Sequence, residues 1–161
     1  MSEPPSDWMP RDRWESLVRG ENCPLCARIQ SAQPADEFAI AVADLRLSQL
    51  YLSKNQFVRG YCTLVCAKHV REPYELTAEE QALFFGDMMH VGQALELAFN
   101  PVKMNFQLLG NEVPHLHAHL VPRYYGDSAP SRPIDPGAQV IRLTGQEYEE
   151  RIKVISAALG K

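Results

Sequence analysis

The sequence predicts an α+β domain with a largely antiparallel sheet of about five strands. One long helix packs on this sheet, and short helices lie near both ends of the chain. Strand-compatible segments occur both before and after a single long amphipathic segment, an order typical of α+β proteins. That long segment has a defined beginning and end, because Thr77 and Glu80 match a capping box and Asn100-Pro101 follows its last turn.

The individual elements follow from periodicity and turn signals. Phe84, Met88, Val91 and Leu95 recur at helical spacing, which predicts the long helix over residues 78–99. The proline-rich segments 1–10 and 126–137 are predicted to be irregular arms. Shorter helices are predicted over residues 11–19, 27–31 and 146–159, and strands over residues 37–45, 47–52, 61–67, 102–109 and 116–122.

Length and composition indicate one globular domain. The chain has 161 residues, of which 45% are hydrophobic and 22% are charged, which is ordinary for a protein with a packed core. The net charge of -4 argues against a general nucleic-acid binder, since that function needs a broad basic surface. No apolar run approaches the roughly 20 residues of a membrane span, and the polar N-terminus predicts no signal peptide. We therefore expect a cytoplasmic protein that binds neither membranes nor extended nucleic acid.

Three of the five histidines lie within five residues near the end of the predicted sheet. His115, His117 and His119 are spaced two apart on a predicted strand, so their side chains project to one face. Leu116 and Ala118 project to the other face, which is apolar and suited to the core. Imidazole is both a metal ligand and a nucleophile, so this face is predicted to bind a metal, to catalyse a reaction, or both.

The second cluster is the Cys23-Pro24-Leu25-Cys26 segment. A Cys-x-x-Cys pair by itself is compatible with a zinc site, with a redox dithiol or with two packed thiols. The redox alternative is disfavoured because no thioredoxin-like strand precedes the motif. Zinc needs about four ligands, and His69 with one of the clustered histidines offers the remaining two.

The segment from Leu109 to Arg123, LGNEVPHLHAHLVPR, resembles the signature of the histidine triad (HIT) superfamily, His-x-His-x-His followed by apolar residues. The Gly-Asn lead-in and the Pro-Arg ending are similar to bacterial HIT hydrolases of the dinucleoside-polyphosphate hydrolase-like branch. The segment from Gly60 to His69 resembles the family strand that ends in a Lys-His step. The resemblance spans about residues 20–125, which implies a HIT-like fold over this range, with an arm and short helix at 1–19 and an arm and helix at 126–161.

The resemblance also implies a role for each matching residue. His117 would be the nucleophile, with His119 beside the α-phosphate oxygens and His115 next to the nucleophile. The phosphate or nucleotide would also contact three further residues, namely Asn105, Asn111 and Asp44. A structural zinc would be held by Cys23, Cys26, His69 and His115. Cys66 lies three residues before His69 and is an alternative ligand.

The predicted function is therefore hydrolysis at the α-phosphate of dinucleoside polyphosphates or nucleotide phosphoramidates, through a covalent nucleotidyl-histidine on His117. An adenosine-type nucleotide is the favoured substrate, and the resemblance implies a homodimer. Two alternatives remain open at this point. The covalent intermediate would equally serve nucleotidyl transfer to a sugar phosphate or another acceptor. A nucleotide-sensing module without turnover would retain the same residues.

Overall fold

Five strands and four α-helices follow the order predicted from the sequence. The structure is a computed structural model that describes residues 8–161, so most of the predicted N-terminal arm, residues 1–7, lies outside the described part. The helices are α1 (Arg11–Val18), α2 (Pro24–Gln30), α3 (Ala78–Phe99) and α4 (Gly145–Ala158), with a short 3-10 helix at Pro73–Glu75. The strands are β1 (Ala39–Asp44), β2 (Ser48–Ser53), β3 (Cys62–Cys66), β4 (Lys103–Gln107) and β5 (His117–Arg123).

The strands form one antiparallel sheet in the order β1-β2-β3-β5-β4. β5 therefore lies between β3 and the edge strand β4, although β3 and β5 are separated in sequence by α3 and β4. Thr63 pairs with His119 across β3 and β5, and Gln107 pairs with His119 across β4 and β5. This register places the second half of the histidine motif inside the sheet, where main-chain hydrogen bonds from both sides fix it.

One face of the sheet is covered by α3 and α4 and forms the main core. The buried side chains of α3, such as Phe84, Val91 and Leu95, pack against apolar strand residues that include Leu64 and Leu120. The other face carries α2 and the histidines. Because side chains alternate along a strand, the core residues of β5 and its histidines necessarily lie on opposite faces.

Helix α3 matches the prediction because both of its ends are encoded locally. Thr77 accepts a hydrogen bond from the Glu80 main-chain N–H, and Glu80 accepts one from the N–H of Thr77. At the other end Asn100 adopts the left-handed conformation, with φ of 49°, which stops the helix.

The ends of the other elements lie within three residues of the predictions. The largest difference is α2, which begins at Pro24 rather than at residue 27. Proline at the first helical position is favourable, because its missing N–H would have had no partner there. Within the described residues, no helix has the length and apolar character needed to cross a membrane.

Candidate active site and metal centre

The histidines of β5 are presented on the sheet face opposite the main core. Ala118 and Leu120 point into the core and are fully buried, so His117 and His119 point to the other side. Their rings meet edge to face, with centroids 5.0 Å apart. The sequence predicts three imidazoles on this strand face; β5 carries two of them, His117 and His119, whereas His115 lies before the strand and belongs to a separate cluster.

The ring of His117 is oriented by its own main chain. Its Nδ1 lies 2.6 Å from the carbonyl oxygen of His115. A carbonyl oxygen can only accept a hydrogen bond, so Nδ1 carries the proton and Nε2 keeps its lone pair. Burial lowers the pKa of His117 below its ordinary value, which keeps the imidazole neutral near pH 7. His117 thus offers an unprotonated, directed nitrogen.

The third histidine of the motif is bonded differently. The Nδ1 of His119 lies 2.6 Å from the hydroxyl of Tyr61. Burial, followed by the neighbouring His117, lowers the pKa of His119 to about 4. His119 is therefore also a neutral imidazole near pH 7. Its hydrogen-bond partner decides which of its two ring nitrogens carries the proton.

A cavity of about 300 Å³ opens beside these two rings. His117 and His119 form one wall, the loop from Leu109 to Val113 forms another, and Pro136 from the C-terminal arm also contributes. Asn111, predicted to contact phosphate, lies in this loop and lines the cavity. The space is large enough for a phosphate group and part of a nucleotide beside His117.

A second cluster lies at the start of the motif, where the chain enters β5. One ligand atom from each of Cys23, Cys26, His69 and His115 lies within 4.8 Å of the others. The Nδ1 atoms of the two histidines are 3.2 Å apart, and Cys26 Sγ lies 3.3 Å from His69 Nδ1 and 3.4 Å from His115 Nδ1. Cys23 Sγ lies 3.5 Å from His115 Nδ1. The four residues form a candidate zinc site.

These separations fit a tetrahedral zinc ion. Zn–N and Zn–S bonds of about 2.0 and 2.3 Å correspond to tetrahedron edges of about 3.3 Å between two nitrogens and about 3.5 Å between a nitrogen and a sulfur. The observed separations are 3.2 Å for the two imidazoles and 3.3 to 3.5 Å for the thiol–imidazole pairs. Burial and the Cys23 thiol raise the pKa of Cys26 to about 11. Two adjacent thiolates here therefore require a cation between them.

Main-chain carbonyls orient both histidines of the cluster. The Nε2–H of His115 donates to the carbonyl oxygen of Cys66 at 2.8 Å, and the Nε2–H of His69 donates to that of Val18 at 3.1 Å. Protonation of Nε2 leaves Nδ1 of each ring free to bind a metal, and such outer hydrogen bonds are typical of metal-bound histidines. The end of α1 is thereby connected to the metal site.

Two expectations from the sequence concern Cys66 as an alternative zinc ligand and His115 as a neighbour of the nucleophile. The Cys66 side chain is buried in the main core on the opposite sheet face, so its carbonyl rather than its thiol faces the cluster. His115 does not line the cavity and contributes to the reactive face through its carbonyl oxygen.

Two of the predicted nucleotide-binding residues lie outside the histidine cavity. Asn105 is on the same sheet face, but its Oδ1 accepts a hydrogen bond from Arg123 at 2.7 Å, and it lines a separate cavity of about 550 Å³. Asp44 is exposed at the end of β1, which is three strand spacings, or about 14 Å, from β5. The structure therefore places Asn111, but neither Asn105 nor Asp44, next to His117.

Sequence reasoning did not identify Tyr61, Pro136 or the carbonyl groups of Val18 and Cys66. The only signal for Tyr61 was its place at the start of the strand predicted over residues 61–67, where it alternates in phase with Thr63. That phase gains meaning only when the β3–β5 register is known, because Thr63 pairs with His119.

Comparison with known proteins agrees with this site. The family described as the HIT domain matches residues 37–126. A curated relative, Protein hit from Bacillus subtilis, is 26% identical in an alignment 114 residues long that covers 65% of this chain and 72% of the relative.

Solved structures agree at the level of the fold. A histidine triad protein from Bradyrhizobium japonicum superposes with a TM-score of 0.71 at 28% identity, covering 76% of this chain and 92% of that one. A zinc-bound histidine triad family protein from Mycobacterium smegmatis has a TM-score of 0.62 at 21% identity, covering 86% and 94% of the two chains. The family match over more than half of the chain, together with the triad on its sheet, shows that this protein belongs to the HIT family.

Proposed function

We propose that this protein is a nucleotide hydrolase of the dinucleoside-polyphosphate hydrolase-like branch. It cleaves dinucleoside polyphosphates or nucleotide phosphoramidates at the α-phosphate, through a covalent nucleotidyl-histidine on His117. One observation carries the proposal: the hydrogen bond from His117 Nδ1–H to the His115 carbonyl leaves Nε2 unprotonated beside a cavity. A fixed, neutral imidazole is a competent nucleophile near pH 7.

The reaction proceeds in two displacements at phosphorus. In the first, His117 Nε2 forms a bond to the α-phosphorus, and the bond from phosphorus to the leaving oxygen or nitrogen breaks. The leaving group departs with the bonding electron pair. In the second, water attacks the same phosphorus, loses a proton, and the P–N bond to His117 breaks, so the nucleoside monophosphate is released and His117 is restored.

Both displacements place negative charge on the non-bridging oxygens, which fixed donors must stabilise. His119 and Asn111 line the cavity with His117 and are the proposed donors. Asn105 and Asp44 lie farther from His117, and we propose that they contact the nucleotide beyond the reacting phosphate, with adenosine-type nucleotides as the favoured substrates.

The proposed zinc is structural. Cys23, Cys26, His69 and His115 form a complete set of four ligands, which leaves no open position for a reacting water. The bound ion would neutralise the two thiolates and hold α2 to the start of β5. The zinc-bound neighbour from Mycobacterium smegmatis, which shares the fold, supports this assignment. A cytoplasmic location and a homodimer remain predictions.

The test is nucleoside monophosphate release by the wild type, His117→Ala and a matched control, His90→Ala. His90 is an exposed histidine of α3 outside the cavity. The panel holds diadenosine polyphosphates, an adenosine phosphoramidate, a nucleotide sugar and an adenylylated amine. We expect turnover by the wild type and by His90→Ala, and a loss of at least about a thousandfold in His117→Ala.

Three other outcomes would contradict the proposal. Full activity in His117→Ala would exclude the covalent mechanism. Turnover that requires an added sugar phosphate would indicate a transferase. Nucleotide binding without turnover of any substrate would indicate a sensing module.

A further inference from the structure

The hydroxyl of Tyr61 is buried against the third histidine of the motif. Tyr61 is 7% exposed, and its hydroxyl oxygen lies 2.6 Å from Nδ1 of His119. The two rings are nearly parallel, with centroids 5.9 Å apart. This contact is separate from the hydrogen bond that orients His117, and it joins β5 to the residue that precedes β3.

The direction of this hydrogen bond follows from the available partners. If Nδ1–H of His119 donated to the phenol, the Tyr61 hydroxyl hydrogen would need another acceptor. The nearby candidate is the Thr63 hydroxyl, which is close enough to lower the Tyr61 pKa but forms no hydrogen bond of normal geometry with the phenol, whereas Nδ1 of His119 does at 2.6 Å. Donation from the Tyr61 hydroxyl to Nδ1 satisfies both groups. Burial also raises the pKa of Tyr61 to about 12, so the phenol retains its proton. His119 then carries its own proton on Nε2, the nitrogen remote from Tyr61.

The position of Tyr61 is fixed by its surroundings. The buried Gln56 donates from its side-chain amide to the carbonyl of Tyr61 at 2.9 Å, and it accepts from the N–H of Gly60 at 3.0 Å. Phe57 packs edge-on against the Tyr61 ring at 4.8 Å, and Val121 of β5 lies in the same buried cluster. A hydroxyl on so constrained a ring samples few other positions.

His117 and His119 therefore have partners of opposite polarity. The partner of His117 is a carbonyl, which accepts, and the partner of His119 is a hydroxyl, which donates. We propose that Tyr61 is a positioning residue that holds His119 as the Nε2–H tautomer, so that His119 donates a hydrogen bond to the substrate phosphate while the adjacent His117 attacks. The catalytic part of this inference rests on the proposed function, whereas the tautomer can be observed without any substrate.

The first experiment measures the tautomer directly. Long-range ¹H–¹⁵N correlation spectra of the full-length, zinc-supplemented protein distinguish the protonated from the bare ring nitrogen of each histidine. Signals of His119 are assigned by their absence in His119→Asn. We expect Nε2–H in the wild type and a mixture of tautomers in Tyr61→Phe, which removes only the hydroxyl. Tyr148→Phe is the matched control, since Tyr148 is a buried tyrosine of α4 whose hydroxyl bonds only to main-chain atoms.

The second experiment measures kinetics on the substrate that the wild type turns over best. Tyr61→Phe removes the hydrogen bond to Nδ1 of His119, whose Nε2–H is the proposed donor to the substrate phosphate. We therefore expect kcat of Tyr61→Phe to fall about tenfold with little change in KM. We expect kcat of Tyr148→Phe to stay within about twofold of the wild type.

Each result decides between the alternatives. An Nδ1–H tautomer of His119 in the wild type, or an unchanged Nε2–H tautomer in Tyr61→Phe, would overturn the inference, whatever the enzyme does. A protein without turnover that still shows the tautomer change would overturn only the proposed function. An unchanged kcat in Tyr61→Phe, with the tautomer altered, would refute the role of this proton in the reaction.

Discussion

Replacing Cys26 by alanine is expected to remove zinc from the protein, whereas replacing Cys66 is not. The two thiols are forty residues apart in sequence, and Cys66 lies nearer to His69 along the chain. In the structure, however, Cys26 Sγ lies 3.3 Å from His69 Nδ1, and the Cys66 thiol is buried in the core on the other side of the sheet. Cys66→Ala is therefore a matched control for the loss of a thiol.

The magnitude follows from the number of ligands. Cys26→Ala leaves three ligand atoms and removes one of two thiolates. Because loss of a residue that only supports a metal ligand already costs about 10- to 100-fold in affinity, loss of a direct ligand is expected to cost about a hundredfold or more. At a saturating zinc concentration, a hundredfold loss lowers the free energy of unfolding by about 2.7 kcal/mol. For a chain of this size, the corresponding decrease in Tm is about 5 to 11 °C.

The assay combines metal analysis of protein purified without added zinc with calorimetry at a saturating zinc concentration. We expect about one zinc per chain in the wild type and in Cys66→Ala, and less than about a tenth in Cys26→Ala. Cys66→Ala also loses core packing, so its Tm falls as well, and the zinc content is the deciding measurement. Loss of zinc in Cys66→Ala with retention in Cys26→Ala would refute the ligand assignment, and absence of zinc from well-folded wild type would refute the site.

Two further predictions concern a buried carboxylate and the pH dependence of the reaction. Asp87 of α3 is 2% exposed and accepts hydrogen bonds from Leu47 N–H and the Ser48 hydroxyl. Asp87→Ala should therefore lower the free energy of unfolding, measured in urea, by about 3 kcal/mol. A change no larger than that caused by the exposed control Glu96→Ala would contradict this prediction. Burial lowers the pKa of His117 below its ordinary value and lowers that of His119 to about 4. As the pH falls, kcat/KM should therefore begin to decrease at a lower pH than it would with an ordinary histidine, which is about three-quarters protonated at pH 6. A fall through pH 6.5 at constant zinc content would show that these pKa values are not lowered in the free enzyme.

The strand and helix order was predictable because its signals are local. The capping box at Thr77 and the αL residue Asn100 determine both ends of α3, and each lies within a few residues of the end that it determines. The alternation of His117 and His119 with Ala118 likewise assigns both faces of β5 without knowledge of the rest of the fold. The zinc ligands were found differently, through resemblance to a family, since Cys23 and His115 are 92 residues apart.

The residue types that could react, and the strand that presents them, were readable from the amino-acid sequence, because the period of two in a strand puts alternate residues on one face. The proton position on each imidazole, by contrast, depends on partners that the fold brings to it. The protons of His115 and His117 are positioned by the carbonyls of Cys66 and His115, and His119 contacts the hydroxyl of Tyr61. Two of these three partners, the Cys66 carbonyl and the Tyr61 hydroxyl, lie on or beside β3, and the β3–β5 register brings them next to the histidines. Sheet register depends on the packing of the whole domain and leaves no signal in the motif itself.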